Sequence, residues 1–174
     1  YSDKPPWTLS LSMLRAVDFA EALLGQWPKR SISLRANELR AILIASDAQA
    51  EPNALPSGGF IVLDPLTGHK FAQFTVFSDE ILESWGFSSI ARQGGANPIA
   101  LCEAAMIPMA LMAVHAGLSQ RDVLFFVDNS VSLFSCVKGT SNEAHVARSA
   151  QLAALVNFTT ASRTWFEFVD SKSN

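Results

Sequence analysis

The amino-acid sequence predicts an α/β domain built on one mixed five-stranded sheet flanked by helices, and three observations predict it. Three short apolar runs come first, "AILIAS", "FIVLD" and "HKFAQFTVF", separated by turn residues. A long apolar helical pattern follows, "NPIALCEAAMIPMALMAVHAG". Two further strand-like runs, "RDVLFFVD" and "TWFEFVDS", then appear, each preceded by a helix. Strands joined by short turns pair antiparallel, whereas a strand that returns after a helix adds in parallel. The order strand, strand, strand, helix, strand, helices, strand therefore reads as an antiparallel meander with parallel additions.

Each element has its own local signals. Residues 1–39 hold a helical pattern, "LSMLRAVDFAEALLGQW", with apolar side chains at Leu11, Leu14, Phe19, Leu23 and Leu24 and with Gly25 as a stop signal. The mixed, basic stretch "PKRSISLRANELR" follows as a connection, and a boundary is placed before Arg40, so that 40–174 forms the main domain. The first strand is expected to end at Asp47, and the Pro- and Gly-rich stretch from Ala48 to Ser57 reads as a loop. Leu66, Thr67 and Gly68 form the tight turn between the second and third strands, and a helical turn or two lies around Ile81 to Trp85, before a Gly-rich loop. The long helix has Asn97 as N-cap, Pro98 at its first position and Gly117 past its end. It is apolar on nearly every face, so it must be central and covered, and Pro108 in its middle should kink it. "NSVSLFSCVKG" reads as a short helix and "NEAHVARSAQLAALVNF" as a longer one.

Composition narrows the function classes. The chain has 174 residues, 49% hydrophobic and 17% charged, which suits one globular core rather than disorder. The longest uncharged apolar run, "AAMIPMALMAV", falls well short of the ~20 residues of a membrane-spanning helix, so no membrane segment is expected. The start "YSDKPPWTLS" lacks an initiator Met, a basic region and an apolar region, and reads as a segment excised from a longer chain without a signal peptide. Cys102 and Cys136 form no CxxC pair and His69, His115 and His145 show no ligand spacing, which disfavours zinc and fits a reduced, intracellular setting. Residues 1–40 carry six basic and four acidic side chains, residues 41–174 seven basic and twelve acidic. An acidic main body argues against a protein that coats nucleic acid, because Lys and Arg supply most non-specific phosphate affinity. It leaves room for a nuclease that gathers carboxylates around metal.

Three acids stand in unusual places: Asp47 at the end of the first strand, Glu103 in the apolar helix and Asp128 at the end of the fourth strand. Asp47 is equally readable as a turn former and Asp128 as a turn or capping residue. Glu103 lies past the first helical turn among Leu101, Cys102, Ala104, Ala105, Met106 and Ile107, and is either on an exposed sliver of the helix or buried at a cost of several kcal/mol. If the strand ends are adjacent and the helix crosses them, the three carboxylates converge. Their repulsion then calls for a cation, and hard oxygen ligands suit Mg²⁺ or Mn²⁺.

The series "ILIASDA…PSGGFIVLD", "NPIALCEAA", "VLFFVDNSVSLFSCVKGTS" and "TWFEFVDSKSN" resembles, in order and spacing, the ribonuclease H domain of retroelement reverse transcriptases, over roughly residues 40 to 174. The resemblance implies a ribonuclease H-like fold in which Asp47, Glu103 and Asp128 bind two divalent ions, Mg²⁺ or Mn²⁺, and serve as ligands rather than proton-transfer groups. It implies hydrolysis of the RNA strand of RNA–DNA hybrids, read through the 2′-hydroxyls of the minor groove. Gln49 and Asn129, beside two proposed ligands, are the candidate substrate contacts, with plain loop polarity as the alternative. Gly58 and Gly59 match family glycines where a bulge, a close backbone approach or a turn excludes a side chain. Lys138, Arg148 and Arg163 are readable as phosphate contacts or, better, as solvated surface charge, and Trp85 and Trp165 as core rather than base-stacking platforms. The family's further Asp falls a few residues beyond its S-x-x-N, past Asn174, and Asp170 precedes that motif and is not its equivalent.

In this reading residues 1–39 join the nuclease to the reverse transcriptase portion of the same polyprotein, the expected partner beside the hybrid. Two other readings compete. One is a catalytically inactive structural or connection module of the same fold, or a relic fragment. The other is an integrase or transposase core, which places its Glu after both Asp, whereas here Glu103 lies between them.

Overall fold

The structure, a computed structural model, describes residues 41–51, 54–87 and 97–170 together with Leu14, Arg15, Val17, Asp18, Glu21 and Gly25. The chain divides into two compact units, Tyr1–Leu34 and Arg35–Asn174. In the first unit the described residues are helical, and Gly25, expected as a stop, is itself helical. Helix ends shift by one or two residues with the way they are drawn. Leu11, Phe19, Leu23 and Leu24, the connection over 28–40, the Gly-rich loop over 88–96 and the closing Ser171 to Asn174 lie outside the described residues.

The second unit carries a five-stranded sheet of order β3-β2-β1-β4-β5. Its strands are β1 (Ile42–Gln49), β2 (Ser57–Leu63), β3 (Lys70–Val76), β4 (Asp122–Val127) and β5 (Arg163–Phe168). The first three form an antiparallel meander, and β4 and β5 add in parallel on the other side of β1. The expected mixed sheet is therefore observed, with one correction. β1 does not end at Asp47 but runs to Gln49, because Asp47, Ala48 and Gln49 pair with Gly59, Gly58 and Ser57. The expected loop from Ala48 to Ser57 shortens accordingly at both ends. The β2–β3 turn is held by the Asp64 side chain, which accepts from the Leu66 amide at 2.9 Å, and by Gly68 at φ 72°, a left-handed value that suits glycine.

The helices are α1 (Asp79–Ser84), α2 (Ile99–Ala113), α3 (Ser130–Lys138) and α4 (Ala144–Thr160), with a short 3₁₀ turn at His115–Gly117. α2 caps one face of β1 and β2 and packs against α4. Leu101, Cys102, Met106, Ile107, Ala110 and Leu111 sink into the core beside Ile42, Ile44, Phe60, Val62, Val123 and Phe125. Asn97 caps α2 from one position further out than expected, its Oδ1 accepting from the Ile99 amide at 2.9 Å while Pro98 holds the cap position. The helix runs through a buried Pro108 without interruption. No helix among the described residues is long and apolar enough to cross a membrane.

Along each strand the side chains alternate between the helix-covered face and the other. On that other face Ile61, Phe74 and Trp165 are exposed. Trp165, expected in the core, is 66% exposed because its register partner is Leu124, on the face away from the helices. Trp85 does pack against the core, edge-on to Phe77 with centroids 5.4 Å apart.

Candidate metal centre

β1 and β4 are parallel neighbours, so their C-terminal ends point the same way, and their register closes at Ser46 and Val127. Asp47 and Asp128 are the next residues on each chain. β4 stops there while β1 continues, so Asp47 has no strand residue beside it on the β4 side, and on its β2 side it faces Gly59, which has no side chain. Glu103 reaches the same point from the second turn of α2. One carboxylate oxygen each of Asp47, Glu103 and Asp128 lies within 4.8 Å of the others. The sheet and the helix thus bring together the three acids singled out from the sequence.

The electrostatics are those of converging like charges. Glu103 Oε2 and Asp128 Oδ1 are buried without a hydrogen-bond partner, a costly state for carboxylate oxygens. Burial, then the Asp128 charge, pushes the Glu103 carboxyl up from 4.5 to about 7, against the pull of the Asn129 side chain, and Asp47 adds to the rise. Burial and the Asp47 charge also raise Asp128. Two like-charged neighbours and two orphaned oxygens fit hard divalent cations such as Mg²⁺ or Mn²⁺, with the three carboxylates as ligands. This is the one group of His, Cys, Asp and Glu side chains among the described residues with such geometry. Burial pushes the Cys102 and Cys136 thiols up to about 12, so neither supplies a thiolate at neutral pH.

An open cleft of about 530 Å³ runs from Asp47 and Asp128 across Gly58 and Gly59 to Gln73 and Phe74. Gln49 lines it and donates from Nε2 to Ser57 Oγ at 3.0 Å. Asn129 is the N-cap of α3, its Oδ1 accepting from the Val131 and Ser132 amides at 2.8 and 3.1 Å. The capping reading considered for Asp128 therefore belongs to its neighbour, which leaves the Asp128 carboxylate outside the helix start. Arg163 is not solvated surface charge: it forms a two-pronged pair with Asp122, at 2.6 and 3.0 Å, at the start of β4 and so at the far end of the sheet from the acids. Lys138 is exposed in the last turn of α3, and Arg148 is exposed on α4.

Gln73, Phe74, Phe126 and Val169 in the cleft wall escaped the sequence reading. Alternation in "HKFAQFTVF" separates Phe71 from Phe74 and carries the signal for the last of these, but which face of the sheet holds the acids is not written in one strand.

No family model matches the chain, and no curated protein does. Among solved structures it is similar to RNase H1 from the halophilic archaeon Halobacterium salinarum NRC-1, with 10% identity and TM-score 0.53 over 77% of this chain and 89% of that one. The N-terminal RNase H domain of a Mycobacterium tuberculosis protein aligns with 10% identity and TM-score 0.54 over 77% and 85%. An RNase H1 isolated from compost by a metagenomic approach aligns with 13% identity and TM-score 0.53 over 77% and 87%. At such identities the likeness is one of fold, and it agrees with the strand order and directions described above: the chain has a ribonuclease H-like fold.

Proposed function

We propose that this protein hydrolyses the RNA strand of RNA–DNA hybrids, with Asp47, Glu103 and Asp128 as the ligands of two divalent ions. The observation that carries the reading is the meeting of three carboxylates within 4.8 Å, two with orphaned buried oxygens, at the open end of a ribonuclease H-like sheet. Bound there, Mg²⁺ would supply activation of the attacking water and charge neutralisation at the leaving oxygen. The chain's own part is to hold the three carboxylates converged and to seat the scissile phosphate in the cleft beside them. Gln49, whose amide already donates to Ser57, and the Asn129 side chain flank that place and are proposed to meet the hybrid.

The sequence resemblance further supports a retroelement origin, with residues 1–39 joining the nuclease to a reverse transcriptase portion. The test is cleavage of a labelled RNA–DNA hybrid in Mg²⁺ buffer by the full chain. Cleavage of the RNA strand alone, falling at least about a hundredfold in Asp128→Asn, is the expected result. Cleavage that survives this substitution would overturn the assignment, and absence of both cleavage and Mn²⁺ binding would favour the inactive structural module.

A further inference from the structure

α2 approaches the sheet at Gly58 more closely than a side chain there would permit. A Cβ built on Gly58 would lie 2.7 Å from Met106 Sδ, 2.9 Å from Met106 Cγ and 3.2 Å from the Asp47 carbonyl oxygen. Non-bonded carbon contacts settle near 3.5–4.0 Å, so an added methyl must displace something. Gly58 is not among the glycines with positive φ, and an alanine is opposed there by contact alone. Met106 is 1% exposed within the core cluster, so its thioether has flexibility but no solvent to swing into. The Asp47 carbonyl belongs to the β1 backbone, which is held between two strands.

The position of this contact links two of the three acids. Gly58 pairs with Ala48, the residue after Asp47. Met106 lies three residues beyond Glu103, so the two side chains share one side of α2. Pushing Met106 off the sheet lifts the helical turn that carries Glu103, while Asp47 stays with its strand.

We propose that Gly58 is a positioning residue: its missing side chain sets the depth at which α2 seats on the sheet, and with it the distance of Glu103 from Asp47 and Asp128. This rests on the metal-centre reading and assigns the closeness of its ligands to one backbone contact. Divalent sites tolerate deviations of only about 0.2 Å in ligand distance, so a small outward shift of α2 is enough to weaken binding.

The test compares Gly58→Ala with the double variant Gly58→Ala/Met106→Ala, which removes the two Met106 atoms the new methyl meets most closely. In a crystal structure of Gly58→Ala the Glu103 and Asp47 carboxylate oxygens are expected to part beyond 4.8 Å. Calorimetric titration with Mn²⁺ is expected to show affinity about tenfold weaker or more in Gly58→Ala, and most of it regained in the double variant. An unchanged carboxylate separation in Gly58→Ala overturns the inference whether or not the site binds metal. A parent protein that does not bind Mn²⁺ overturns the metal-centre reading instead. Should Gly58→Ala not fold, a double variant that folds and binds Mn²⁺ as the parent does supports the inference, and one that folds without binding overturns it.

Discussion

Glu103 concentrates the energetics of the site in one residue. Its carboxyl, raised from 4.5 to about 7 mainly by burial, keeps a proton in the folded state that the unfolded chain releases. Between those values the native state binds more protons than the unfolded one, so the metal-free protein loses stability as pH rises from about 4.5 through about 7. Asp128, raised for the same reasons, acts in the same direction. Glu103→Gln removes the larger part of this loss. In the presence of chelator at pH 8 the variant is expected to be more stable than the parent by on the order of 1–2 kcal/mol, discounted for partial exposure, and to lose Mn²⁺ binding. Thermal unfolding at pH 5 and pH 8 checks the first and calorimetry the second. A variant less stable than the parent at pH 8 would contradict the burial argument. Glu103 stood out in the sequence because it lies past the first helical turn among six apolar neighbours, where neither a cap nor a turn accounts for an acid. Asp47 and Asp128 were not separable there from turn residues, since Asp serves both uses equally well.

At the scale of elements, most assignments followed from periodicity and caps, and the differences have local causes. β1 gains Ala48 and Gln49 because a partner strand was available to pair them, which composition at a strand end does not reveal. α2 survives Pro108 because the helix is buried in the core, where packing outweighs propensity. The opposite end of the sheet is fastened by Arg121, which donates to Asp64 at 2.7 and 2.8 Å. The Arg121 and Asp64 side chains are only 7% and 15% exposed. The guanidinium holds the Asp64 carboxyl well below its ordinary 3.8, so the stability this pair contributes is complete above that value and is lost as pH falls beneath it. Arg121→Ala leaves an uncompensated carboxylate and is expected to cost about 3 kcal/mol in denaturant unfolding at neutral pH. A loss below about 0.5 kcal/mol would show the pair to behave as a surface bridge. The two partners stand 57 residues apart, and nothing in either neighbourhood announces the other.

For the whole molecule, the sheet is covered by helices on one face, and on the other Ile61, Phe74 and Trp165 remain exposed among the described residues. The acid cluster sits where the two faces meet, with Asp47 alternating onto the open face and Glu103 coming from the covered one. Since three converged carboxylates favour folded protein with cation bound, Mg²⁺ or Mn²⁺ at a hundred times its Kd is expected to stabilise the fold by about 2.7 kcal/mol. A rise in melting temperature with the parent, absent in Asp47→Asn, is the measurement. Equal rises in both would place the ion elsewhere.

By itself the sequence determined the class of fold and the order of its elements, and marked the three acids as candidates, because period, caps and turn residues act over a few neighbours and leave local marks. Only the tertiary structure decided that Asp47 and Asp128 end adjacent parallel strands, that Asn129 rather than Asp128 caps α3, that Arg163 is spent on Asp122 and that Trp165 lies outside the core. Those outcomes depend on which strands pair, in which register, and on how closely α2 seats against Gly58. Such contacts join residues far apart in the chain, and their energies exist only once the sheet has formed.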